Sequence, residues 1–222
     1  KLSPPAIDDD VFFNGVLDQR KNGRNRKYFE DISTNWLARL KAYDSVGGDP
    51  TKMPSSFIKA IDKDKLINLY SDTNAESFHI PFIYKLRHPA KRLPICPACG
   101  EEGTPHTLDH YLPKNQYPEF SIHLKNLVPM CDICQGIKLE SFIDSNGLKR
   151  YLHPYFDTIS QSIMFIKILP PFNSPRRFEL SIDASLPADL IAQVSRHAIG
   201  LGLAARIEDY CRTKYMHLLK LM

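Results

Sequence analysis

The sequence predicts an α+β protein: a small metal-stapled core of two short strands and a helix, flanked by mostly helical regions. Three observations predict it. Two Cys-x-x-Cys pairs, Cys96/Cys99 and Cys131/Cys134, enclose a segment with the alternation of short strands. Ahead of them, apolar residues recur at helical spacing; behind them, a mixed stretch leads into a long helical pattern. The boundaries fall at 1–93 for a mostly helical N-terminal region, 94–146 for the core, and 147–222 for a mixed, then helical, C-terminal region.

The elements follow in order. Residues 1–27 open with prolines and Asp8-Asp9-Asp10, then carry a basic run of Arg20, Lys21, Arg24, Arg26 and Lys27. Between these, Phe12, Phe13, Val16 and Leu17 would dock on a partner or on the body of the protein. Residues 28–46 read as a helix through Phe29, Ile32, Trp36, Leu37, Leu40 and Tyr43, stopped by Gly47-Gly48-Asp49-Pro50. A second helix is expected over about 55–70, and 78–95 reads as extended or mixed because Pro81, Pro89 and Pro94 interrupt it. In the core, Leu108 and His110 would share one face of a strand, with Asp109 on the other. Pro113 and Pro118 force a loop, residues 127–130 read as a second strand, and 135–142 as a helix beginning right after Cys134. Residues 159–169 suit a strand or short helix and 178–182 a strand. Pro187 suits the first turn of a long helix that Gly200 and Gly202 bend or split.

With 222 residues, 43% of them hydrophobic, the chain has enough apolar material for a real core. Its net charge of +4 fits a polyanionic partner without requiring one. No apolar run approaches the roughly 18 residues of a membrane span, so no membrane partner is expected. No signal peptide opens the chain, and a soluble cytoplasmic protein is expected. Five cysteines, two tight pairs plus a lone Cys211, argue against a disulfide scaffold and for metal in a reducing compartment.

The chemistry starts from those pairs. Four thiolates close a tetrahedral zinc site with no open position, so such a zinc would hold the fold and not catalyse. Closing it pins together the ends of a segment carrying Asp109, His110 and a buriable Asn126. An imidazole titrating near neutrality can take a proton from water and make it a nucleophile for phosphorus. A carboxylate on the other side of the strand would bind a hard divalent cation, which stabilises charge on the scissile phosphate and the leaving oxygen. An acid, an imidazole and an amide on a metal-stapled loop point to hydrolysis of a phosphodiester.

Cys96-x2-Cys99, Leu108-Asp109-His110-x2-Pro113 and Asn126-Leu127-x3-Cys131-x2-Cys134-Gln135-x2-Lys138 resemble the HNH endonucleases and their ββα-metal fold, over about residues 94–143. The resemblance implies a metal-dependent endonuclease that nicks or cleaves DNA. His110 would be the general base, Asp109 a ligand of the catalytic Mg2+ or Mn2+, and Asn126 the residue that orients His110 by hydrogen bonding and braces the loop. Lys138 would meet phosphate beside the N-terminus of the helix after Cys134. Lys114, Arg87, Lys91 and Arg92 would be further nucleic-acid contacts, with Lys149-Arg150 and Arg176-Arg177 as more distant basic candidates. The chain departs from the family at one position: where His or Asn usually follows the last cysteine as a metal ligand, it has Gln135, which leaves open a weaker ion site, with water or Asp132 substituting. A catalytically impaired zinc-stapled nucleic-acid-binding module and a ribonuclease acting on structured RNA such as tRNA therefore stay as alternatives. Residues 117–121 and 151–157 also resemble segments of HNH effectors of bacterial anti-phage defence paired with an ATPase, which implies a larger protein partner. His153 would face the site or pack a loop, while His106 and His123 would lie at the surface.

Overall fold

A computed structural model describes residues 1–21, 23–88, 93–172 and 177–221. Lys91, Arg92 and Arg176, expected to meet phosphate, lie outside the described residues. Among those described, seven α-helices and two small antiparallel sheets make an α+β protein. The chain divides into two compact units: residues 1–148 with 153–157, and 149–152 with 158–221.

The first unit begins with a helix the residue pattern did not announce, α1 (Asp9–Arg20). Asp8 caps it, its Oδ1 accepting from the Val11 N–H at 3.0 Å, and Asp9 and Asp10 suit its first turn. Phe12, Phe13 and Val16 turn inward, so the apolar cluster docks on the body of its own unit; Phe13 meets Trp36 edge-on at 5.2 Å. The basic run that follows is paired with acids: Arg20 with Asp72, Arg26 with Glu30, Lys27 with Asp31.

Helix α2 (Arg26–Ser45) carries the unit's core through Phe29, Trp36, Leu40 and Tyr43. The second expected helix is shorter, α3 (Lys63–Tyr70), because Ser56 spends its hydroxyl on Glu119 and on the Ile58 N–H, holding the chain before it in a loop. Residues 78–95 are not simply extended: α4 (Ile80–Arg87) forms there, with Pro81 in its first turn, where a missing N–H costs nothing.

Strands β1 (Thr107–His110) and β2 (Leu127–Met130) pair antiparallel, Leu108 opposite Pro129 and His110 opposite Leu127. Helix α5 (Asp132–Lys138) follows, so the local order is strand, loop, strand, helix. The helix starts at Asp132, three residues earlier than the sequence suggested, because the Cys131 thiol caps it by accepting from the Cys134 N–H.

In the second unit β3 (Met164–Ile168) and β4 (Phe178–Ile182) form another antiparallel pair. The expected long helix is two, α6 (Ala188–Gly200) and α7 (Leu203–Leu221). The break falls at Gly202, whose φ of 61° suits glycine and few other residues. No helix among the described residues is long and apolar enough to cross a membrane.

Candidate functional site

Cys96, Cys99, Cys131 and Cys134 come together with all four sulfur atoms within 4.8 Å of one another. Cys96 and Cys99 sit on a turn closed by the Gly100 N–H donating to the Cys96 carbonyl at 2.8 Å, with Gly100 at a φ of 74°. The Cys131 N–H points at Cys96 Sγ (3.4 Å), and Cys99 and Cys131 Sγ are 3.9 Å apart. Ligands about 2.3 Å from zinc in a tetrahedron lie roughly 3.8 Å from one another, so the donor set fits zinc. Three of the four cysteines are buried, so the cluster is closed and structural in kind. Cys211 is half-buried on α7.

The staple fixes the ends of β1 and β2, and the loop between them positions His110. Its Nε2 lies 2.9 Å from the Ser121 carbonyl. A carbonyl only accepts, so Nε2 carries the proton and Nδ1 keeps the lone pair. Burial pushes the His110 pKa down to about 4, against the Ser121 carbonyl and with help from the Lys114 and Lys138 charges. The ring is therefore neutral at physiological pH. Tyr70 meets it edge-on at 4.5 Å.

Asn126 does not bond to the His110 ring; it acts on the loop. Its Nδ2 donates to the carbonyls of Leu112 (3.0 Å) and Phe120 (3.2 Å), and its Oδ1 accepts from the Leu112 N–H (2.8 Å) and the Tyr43 hydroxyl (3.1 Å). His153 is buried beneath the same network, 3.0 Å from the Tyr43 hydroxyl, so it packs the loop and does not face outward. Tyr155 donates to the Leu127 carbonyl from the same segment. Glu119 is fully buried, held by Arg39 at 2.8 Å and by the Ser56 hydroxyl. The segments 117–121 and 153–157 thus brace the loop that presents the Ser121 carbonyl to His110. His123, expected at the surface, is also buried, 3.0 Å from Asp44. His106 is exposed.

Lys138 differs most from expectation. It is the last residue of α5, far from the N-terminus, and its side chain is 1% exposed. Its Nζ lies 2.8 Å from Asp109 Oδ2 and 2.9 Å from the His110 carbonyl. A phosphate contact is replaced by a buried ion pair. Burial raises the Asp109 carboxyl, with Lys138 opposing. Asp109 is buried although the alternation put it on the strand's far face, because α5 covers that face. Gln135 donates its amide N–H to the Leu108 carbonyl at 3.2 Å. As arranged, these side chains do not fit a Mg2+ or Mn2+ site: the one carboxylate already carries an ammonium, and no second acidic ligand joins it among the described residues.

Outside the ring, Tyr70 gathers the basic residues. Arg87 donates to its hydroxyl at 3.2 Å, and Lys114 Nζ lies 5.1 Å from the ring centre. Arg87 is exposed and Lys114 half-buried, so both have access to a ligand in solvent. Sequence reasoning found both cations and missed the tyrosine, which stands at the end of α3 with no motif around it. Lys149, Arg150 and Arg177 belong to the second unit, where Arg196 donates to the Lys149 carbonyl.

No protein-family profile and no solved structure matches the chain. A stretch of 62 residues is 39% identical to protein ea31 of Escherichia phage lambda. The match covers 28% of this chain and 21% of that protein, so the chain spans about a fifth of its relative's length.

Proposed function

We propose that the chain is an HNH-type endonuclease that hydrolyses phosphodiester bonds of DNA, its β1–loop–β2–α5 segment being a ββα core stapled by zinc. The observation that carries the reading is His110: a neutral imidazole, anchored through Nε2 on the Ser121 carbonyl, with Nδ1 left as the base. Beside it stand the two cations gathered on Tyr70.

In this reading Nδ1 takes a proton from a water whose oxygen attacks phosphorus in line. The P–O3′ bond breaks, the leaving oxygen takes up a proton, and a 5′-phosphate remains. Arg87 and Lys114 hold the non-bridging oxygens, and the loop brace at Asn126 keeps His110 in place. No step runs through a divalent ion, since Asp109 is engaged by Lys138. One such site makes one cut, so a single copy nicks.

A second reading, a nucleic-acid-binding module without catalysis, is favoured by that same Asp109–Lys138 pair. A role in anti-phage defence with an ATPase partner rests on residues 117–121 and 151–157 alone.

The test is cleavage of supercoiled plasmid, single-stranded DNA and tRNA, with Mg2+ or Mn2+ and without. The endonuclease reading expects plasmid nicking, and Arg87→Ala or Lys114→Ala should each lower the salt slope of binding by about 1. Cleavage of tRNA alone moves the substrate to RNA; binding of all three with no cut supports the module.

A further inference from the structure

Helix α4 divides its aromatic residues between two sides. Phe82 turns inward, meeting Phe12 edge-on at 5.6 Å and Phe78 at 5.3 Å, and the neighbouring Ile83 is buried. Tyr84 turns outward and is 61% exposed. Its ring is braced by His88 one turn on, with 4.6 Å between the ring centres, so it holds its orientation without help from the core. Lys85, Arg87 and His88 around it are exposed as well. A single exposed aromatic residue is ordinary, but this one stands beside the candidate site. Arg87, three residues on, donates to the Tyr70 hydroxyl at 3.2 Å, and the Tyr70 ring meets His110 at 4.5 Å. Tyr84 thus shares the helix that brings Arg87 to the base, and that helix packs against β1 and β2.

A phosphate held by Arg87 and Lys114 brings a sugar and a base with it. The flat face of a base stacks on an aromatic ring, and cations beside the ring hold the backbone; proteins grip single strands in this way. In a paired duplex each base face is covered by its neighbours, so a ring fixed on an outer helix does not reach it. We propose that Tyr84 is a stacking platform for an unpaired nucleobase beside the phosphate that Arg87 and Lys114 hold, which makes single-stranded or looped nucleic acid the preferred substrate. The place of that phosphate rests on the endonuclease reading of His110; the stacking does not. A supercoiled plasmid remains a substrate, because negative supercoiling favours strand opening.

The experiment is equilibrium binding of fluorescein-labelled oligonucleotides by the zinc-loaded full chain carrying His110→Ala, which prevents cutting. Single-stranded DNA, single-stranded RNA and duplex DNA of one sequence are compared. Adding Tyr84→Ala should weaken single-strand binding about tenfold and leave duplex binding within about twofold. Tyr84→Phe, which keeps the ring, should keep the affinity. Stacking carries no charge, so Tyr84→Ala should leave the salt slope unchanged, where Arg87→Ala lowers it by about 1. A loss on one of the two single strands alone identifies the sugar that the platform serves. Tyr84 is exposed, so each variant should match the parent in zinc content and melting. The proposal is overturned if Tyr84→Ala binds single strands as the parent does, if it weakens duplex binding equally, or if Tyr84→Phe fails to keep the affinity. A Tyr84-dependent grip on single strands, with no cleavage by the chain that retains His110, would sink the endonuclease reading and leave the platform standing. Cleavage that ignores Tyr84→Ala would do the reverse.

Discussion

Among the described residues, two antiparallel strand pairs of nearly equal size live in opposite surroundings. In β1–β2 most side chains are covered on both faces, and Leu127 and Val128 are completely buried. In β3–β4 Phe165, Ile166 and Ile168 stand half-exposed, while β4 packs against α7 and α6. Two strands alone are marginal in water, so each pair depends on what surrounds it. The first is held at its ends by four cysteines and along its loop by Asn126, Glu119 and Tyr155. The second is supported through the packing of β4 on its helices. The difference matters to the proposed function: a base needs a carbonyl and a loop that do not move, and the braced pair supplies both.

The largest effect should come from the staple. Metal site and fold are linked, with zinc contributing on the order of 10 kcal/mol in small domains. Cys134→Ser, or a strong chelator, should strip amide-exchange protection from residues 127–130 while residues 178–182 keep theirs. Equal loss in both pairs would erase the comparison. Next comes the loop brace. Arg39→Ala leaves the fully buried Glu119 carboxylate without its ion-pair partner and should cost about 4 kcal/mol, read from urea unfolding.

A smaller effect is set by pH. Burial works against the Asp44 carboxylate, but His123, Asp9 and Lys125 together hold its pKa well below the ordinary range. A carboxyl whose folded pKa is depressed stabilises the fold above its unfolded pKa and loses that contribution as pH falls through the folded value. Stability should therefore decline below about pH 4. Asp44→Asn should be about 2 kcal/mol less stable at pH 7 and show a flatter acid limb in melts across that range. The smallest effect belongs to the second pair: Ile166→Thr, 44% exposed in wild type, should shift unfolding by less than about 0.5 kcal/mol.

The four-cysteine cluster was legible because cysteine spacing alone encodes it, and α2 and α6 because their apolar periods are regular. The first strand pair and β4 were legible from short runs between turn residues, while the residues of β3 suit a strand or a short helix alike. Helix α1 was not legible, since its aromatic residues are sparse among acids and its cap, Asp8, hides in an acidic run. Helix α4 was hidden by Pro81, which interrupts a pattern only when it falls past the first turn. His110 and Asp109 were singled out by type and order, but Asp109 is engaged by Lys138 and not arranged as an ion ligand. The fate of Lys138 was not legible, because whether a lysine reaches solvent or turns back to a carboxylate depends on where α5 begins. Tyr70 and Ser121 act through a ring edge and a backbone carbonyl, which leave no trace in residue type.

The central claim is that the zinc-stapled hairpin presents His110 as a base. The most direct test is nicking of supercoiled plasmid by wild type and His110→Ala, with bound zinc and amide protection at residues 127–130 measured on both. The account predicts a variant with zinc and protection unchanged and nicking at least about a hundredfold slower. A variant that nicks as fast as wild type while keeping its zinc would contradict it.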